Sequence, residues 1–181
     1  MEYLIKNGAP FDSLGTQAHG GIVGTRTSNG AYGVWKFYDE LYARYKKTLQ
    51  YTELDIALKR PDDPVQQAWQ ADRLRDSMMI AFAHPAVTEI FQWGYWEGSV
   101  WLPGASLWNK DWSIKPAGQA YIDLVHKTWW TNADGQSNTR GEYSTRGFLG
   151  DYEIIVTANG KTKTVKMALP EEGRTLQVVL N

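Results

Sequence analysis

The sequence predicts an α/β fold, a parallel sheet covered by helices, followed by a small antiparallel β segment. Three observations carry this. Strand-like and helix-like apolar periods alternate three times before residue 130. After that point the apolar runs shorten, alternate and break at Gly and Asn. The length, 181 residues, allows one domain or one domain with an appendage. We therefore divide the chain into residues 1–130 and 131–181.

The first strand is read from Phe11 to His19, after the turn residues Gly8-Ala9-Pro10. A Gly-rich stretch, Gly20 to Gly33, follows; long loops of this kind are often functional. The first helix runs from about Tyr32 to Lys47, with Val34, Phe37, Tyr38, Leu41, Tyr42 and Tyr45 on one apolar stripe. The second strand spans about Thr48 to Ile56. Asp63 offers an N-cap and Pro64 an N1 residue for a helix to about Phe82, whose buried side is marked by Val65, Ala68, Trp69 and Met78. The third strand, Val87 to Gly94, leads into a Trp-rich loop from Trp96 to Trp112. Pro116 starts the last helix, to about Trp129. Strand and helix alternating at this spacing argue for parallel strands. In the tail, Thr139–Phe148, Asp151–Asn159, Lys161–Leu169 and Arg174–Leu180 read as β segments, and Asn159-Gly160 is a hairpin turn signal.

Composition removes several function classes. The 19 basic and 20 acidic residues leave a net charge of −1 and no electrostatic footprint for nucleic acid or an anionic membrane. Absence of Cys excludes a disulfide framework, a thiol nucleophile and Cys-ligated zinc. His19, His84 and His126 lack ligand spacing, so no metal or other cofactor is expected. No apolar run is long enough to span a membrane. The N-terminal residues carry no signal-peptide pattern. Nine Trp is a large excess, and some indoles are expected to face a ligand.

In the second strand, Glu53 and Asp55 fall on one face by alternation, at the strand's C-terminal end. Gln17 and His19 end the first strand in the same way. Neighbouring parallel strands converge on one rim, where ligands bind, so these four can share a site. Trp93, Trp96 and Trp101 follow the third strand toward that rim, and flat indoles stack on the apolar faces of sugar rings. Trp35, Trp69 and Trp129 lie on helical stripes and read as core. Carboxylates, imidazole and indoles together suggest glycoside hydrolysis. Retention of configuration needs two carboxyl groups about 5–5.5 Å apart. Glu53 suits the nucleophile; of the candidates for the acid, Asp55 is better used on His19 and Glu97 sits in a loop, so the sequence offers no convincing second catalytic carboxylate.

These residues resemble glycoside hydrolase family 10, the endo-1,4-β-xylanases. The motifs are Gly15-Thr16-Gln17-Ala18-His19, Thr52-Glu53-Leu54-Asp55, His84-Pro85-Ala86-Val87, Gln92-Trp93-Gly94, Trp101-Leu102-Pro103, and Lys115-Pro116-Ala117 with Ala120-Tyr121. Their order matches strands six to eight of the family's (β/α)8 TIM barrel, and Arg146 to Tyr152 resembles the start of a β-rich C-terminal extension found in some members. A complete barrel needs about 250 residues, so the resemblance implies a partial barrel, the last three βα units. It implies that Glu53 is the nucleophile, that His19 and Asp55 orient it, and that Gln17, Trp93 and Trp101 contact xylan or a xylo-oligosaccharide. The family's acid/base Glu, in a Trp-Asp-Val-x-Asn-Glu type motif, is not in this sequence, so the chain is expected to be inactive alone. A non-catalytic sugar-binding role for Trp93, Trp96 and Trp101 is the alternative. The parent enzyme is expected to be extracellular.

Overall fold

A computed structural model describes residues 1–21 and 30–180. The chain forms two compact units, Met1–Leu124 and Val125–Asn181. The first contains α1 (Glu2–Lys6), β1 (Ser13–Thr16), α2 (Gly30–Tyr45), β2 (Thr48–Leu54), α3 (Pro64–Ala83), β3 (Val87–Gln92) and α4 (Pro116–Asp123). The second contains the antiparallel pair β4 (Gly150–Ala158) and β5 (Lys161–Leu169).

Strands β1, β2 and β3 form one parallel sheet in that order. The alternation of strand and helix is therefore realised as three neighbouring βα units, each strand ending on the same rim. Most of the Gly-rich loop expected after the first strand lies outside the described residues. Helix α3 starts as its caps dictate: the Asp63 carboxylate accepts from the Val65 N–H at 2.9 Å, and Pro64 occupies the first turn.

The core lies between the sheet and its helices. Leu49, Tyr51 and Leu54 of β2 are buried, with Val34 and Tyr38 of α2 and Leu74, Met78, Ile80 and Ala81 of α3. The buried face of α3 is rotated from the expected one. Val65 is 76% exposed, Trp69 is 48% exposed and Ala68 is exposed; Met78 is buried as expected, joined by Gln70, Leu74 and Ser77. Trp69 instead lies beneath the Arg73 guanidinium, 5.2 Å from its ring centroid. Phe37 and Tyr42 of α2 are likewise exposed; the aliphatic and hydroxyl-bearing positions Val34 and Tyr38 form the contact. The last helix is regular only to Asp123 and continues as a π-helical turn, Leu124–Thr128, short of Trp129.

In the second unit, Asn159 (φ 52°) and Gly160 (φ 72°) make the two-residue turn between Ala158 and Lys161. Both residues have the positive φ of a type I′ hairpin. Tyr152, Ile154 and Val156 alternate with exposed residues on β4, as Val165 and Met167 do on β5. The other two expected tail strands do not form. Across residues 139–148, the Asn138 side chain accepts from the Arg140 and Glu142 N–H groups, at 2.9 and 3.0 Å, and curls the chain into a turn. Residues 174–180 are not in a ladder, although Val179 O accepts from Lys163 Nζ at 3.0 Å.

Candidate active site

The rim of the sheet is shaped by two irregularities. The first follows β1. Ala18 is left-handed (φ 58°) and buried, a conformation that costs a non-glycine residue about 1–3 kcal/mol and concentrates at functional sites. Beyond it the parallel ladder resumes, with His19 opposite Asp55 and the Gly20 N–H donating to Asp55 O at 2.7 Å.

The second lies in β2. Tyr51 pairs with Ile90 and Leu54 with Gln92, so three steps of β2 oppose two of β3. This is a β-bulge. Leu49 and Tyr51 face the helices; strict alternation would send Glu53 after them. The bulge leaves Thr52 and Glu53 consecutively half-buried and returns Leu54 to the helix side. The expectation that Glu53 and Asp55 share a rim holds, but simple strand alternation is not the reason.

Five of the residues expected at the site come together. Glu53 Oε2 lies 3.3 Å from His19 Nε2, and Glu53 Oε1 accepts from the Gln17 amide at 3.5 Å. On the other side of the ring, His19 Nδ1 lies 2.9 Å from Asp55 Oδ1. The second Asp55 oxygen accepts from the Trp101 indole N–H at 2.9 Å. The Trp101 ring tilts over His19, with centroids 5.0 Å apart. Trp93 joins through its backbone, its N–H donating to Leu54 O at 2.9 Å.

Burial separates the two carboxylates. Asp55 is fully buried, with both oxygens engaged. Glu53 keeps 27% of its side chain exposed, and its contacts are longer. Asp55 is thus a fixed acceptor on the Nδ1 side of His19, whose Nε2 side is turned to Glu53. Glu53, held by longer contacts and partly exposed, is the carboxylate that a ligand can reach.

Glu97, considered above as an acid, is committed elsewhere. It accepts from the Gly104 N–H at 2.8 Å, from the Ser106 hydroxyl and from the Lys115 ammonium. Burial pushes its carboxyl up, but the hydrogen bonds from Lys115, Ser106 and Gly104 outweigh this and hold it below the usual value. A carboxylate kept charged in this way is a poor proton donor. Lys115 is a partner that the sequence does not reveal. A Lys just before a helix-opening Pro reads as a solvated cap, yet its side chain is buried. Trp96 is also committed, stacked on Trp112 with centroids 5.2 Å apart.

A carboxylate braced by an imidazole and an amide, on the C-terminal rim of a parallel sheet and beside indoles, is an arrangement of (β/α)-barrel glycoside hydrolases. The chain belongs to glycosyl hydrolase family 10, whose model matches residues 1–124. It is 39% identical over 95 residues to the anti-sigma-I factor RsgI6 of Acetivibrio thermocellus, covering 52% of this chain and 12% of that protein. It is 29% identical over 169 residues to endo-1,4-beta-xylanase 1 of Arabidopsis thaliana, covering 90% of this chain and 16% of that one. Among solved structures it is similar to xylanase 10B from Thermotoga petrophila in complex with xylobiose. That likeness has a TM-score of 0.52 at 24% identity and covers 70% of this chain and 40% of the other. The fold is therefore part of a family 10 TIM barrel with a small antiparallel sheet. The chain spans less than a fifth of the length of these two curated relatives.

Proposed function

We propose that this chain carries the nucleophile half of a retaining endo-1,4-β-xylanase. Glu53 attacks the anomeric carbon of a xylose unit as the glycosidic C–O bond breaks, forming a glycosyl-enzyme ester and releasing the rest of the xylan chain, whose oxygen takes a proton from a general acid; His19 and Asp55 orient Glu53. Gln17, Trp93 and Trp101 bound the sugar beside the scissile bond. The carrying observation is the asymmetry of the two carboxylates: Asp55 is buried and saturated, whereas Glu53 is braced and open. The ligand class is supported by the solved xylanase with bound xylobiose, and an extracellular parent protein is part of the same proposal.

Neither Asp55 nor Glu97 is placed to protonate a leaving group, so the general acid is supplied by neither. The test is therefore one that needs no acid. A 2-deoxy-2-fluoro-xylobioside with a dinitrophenolate leaving group should label the chain stoichiometrically, with the adduct on the peptide bearing Glu53. Glu53→Gln should stay unlabelled. Labelling at another residue, or equal labelling of the variant, overturns the assignment.

A second reading is a non-catalytic sugar-binding module, favoured by the exposed indoles of Trp93 and Trp101. It predicts xylo-oligosaccharide binding with Trp fluorescence change but no covalent adduct. Trp96, stacked on Trp112, would contribute less to it than Trp93 and Trp101.

A further inference from the structure

The loop that carries Trp101 is closed on itself by one carboxylate. The chain leaves at Glu97 and returns at Gly104 and Ser106, and all three meet at the Glu97 side chain. Lys115, ahead of α4, adds its ammonium to Glu97 and donates to Ser106 Oγ at 2.9 Å. From the opposite side the buried Gln70 of α3 donates to Gly104 O at 2.7 Å and to Ile56 O at 2.5 Å. The return of the loop is thus tied to the residue directly after Asp55. Trp101 occupies the arc between these anchors, and its indole N–H ends on Asp55.

We propose that Glu97 is a positioning residue: paired with the buried Lys115, it sets the 97–106 loop so that Trp101 donates to Asp55 and covers His19. Its catalytic meaning rests on the reading of Glu53 as nucleophile, whereas the loop geometry does not. A buried ammonium requires a compensating anion, and removing one partner leaves a charge stranded. The pair therefore acts as an anchor whose loss frees the loop rather than as a proton carrier.

The test is ¹⁵N-indole NMR of the whole 181-residue chain. Trp101→Phe identifies the Trp101 resonance, and Asp55→Asn gives its position without a carboxylate acceptor. In Glu97→Gln the Trp101 N–H should move toward the Asp55→Asn position. Its solvent exchange should quicken by roughly tenfold, the protection of about one hydrogen bond. The Trp35 resonance, from an indole packed edge-on against His84, should stay in place and report a retained core. An unchanged Trp101 resonance and exchange rate in that folded variant overturns the proposal. Should Glu97→Gln fail to fold, Ser106→Ala carries the test: partial displacement of the Trp101 signal supports the anchor, and no displacement overturns it. No sugar enters the measurement, so anchoring and trapping at Glu53 can fail separately.

Discussion

Tyr38 and Tyr51 bring two hydroxyls 2.5 Å apart inside the contact between α2 and β2, with both residues at most 2% exposed. His84 packs edge-on to Tyr38, takes the Ala86 N–H on Nδ1 at 3.1 Å and turns Nε2 to Asp39. Burial is the main cause that pushes the Tyr51 phenol up to about 12 and the Tyr38 phenol still higher. Both phenols are thus neutral in the fold at a pH where the unfolded chain ionises near its ordinary value of about 10. A raised acid pKa stabilises the fold below the unfolded value, and the benefit is lost as pH rises through the folded one. Stability should fall between pH 10 and about 12, and Tyr38→Phe/Tyr51→Phe should remove that fall, measured by urea unfolding across the range. At pH 7, Tyr38→Phe alone should cost about 1–3 kcal/mol, because Tyr51 keeps a buried hydroxyl without its partner; the double variant should recover much of it. At this scale the sequence was most legible in residue type at the strand ends, which brought His19, Glu53 and Asp55 to one rim, and less so in the spacing, which the bulge alters. It was silent where a partner is distant in sequence and ordinary in type. Lys115 and Gln70 show their roles only when the fold buries them.

Elements were legible where a local signal had no competitor. Asp63-Pro64 began α3, and Asn159-Gly160 turned the β4–β5 hairpin, because caps and I′ turns are decided within a few residues. At Gly160 an added Cβ would meet nothing within 4 Å, so the requirement is purely that of its φ of 72°. Gly160→Ala should therefore destabilise the hairpin by about 1–2 kcal/mol through backbone strain alone. Amide exchange of the paired residues Ala158 and Lys161 should show it, with the protection of β2 unaffected. The faces of α2 and α3 were less legible, because aromatic residues sit beside the true contact stripe and inflate the wrong one. Trp69 and Phe37 are large enough to suggest burial, yet the inward positions belong to Gln70, Leu74, Val34 and Tyr38. Residues 139–148 read as a β segment in the sequence, but Asn138 captures the Arg140 and Glu142 N–H groups that a ladder would need.

At the scale of the whole molecule, the parallel sheet has three strands among the described residues, and β1 and β3 each have one neighbour within it there. Parallel sheets are ordinarily covered on both faces, and aromatic residues such as Phe91 of β3 stand exposed here. With Asp55 saturated and Glu97 anchored, the chain alone is expected to release little or no reducing sugar from xylan. Absence of general-acid assistance alone removes about 10²–10⁴ in rate. Robust hydrolysis by the purified chain, lost in Glu53→Gln, would contradict this. The family and partial-barrel architecture were legible from ordered motifs, since three strand ends in sequence suffice to define one rim. The Trp excess was legible only in part. Trp101 serves the rim, whereas the Trp96–Trp112 stack is visible only in three dimensions.

The bulge in β2 also bears on how sequences of this kind are compared. One extra residue between Tyr51 and Leu54 keeps Tyr51 and Glu53 on opposite faces. Deleting it would leave both flanking segments able to pair, while turning Glu53 into the helix layer. A single-residue gap at that point in a homologue would thus mark a chain that retains the barrel's outline and has lost its aim.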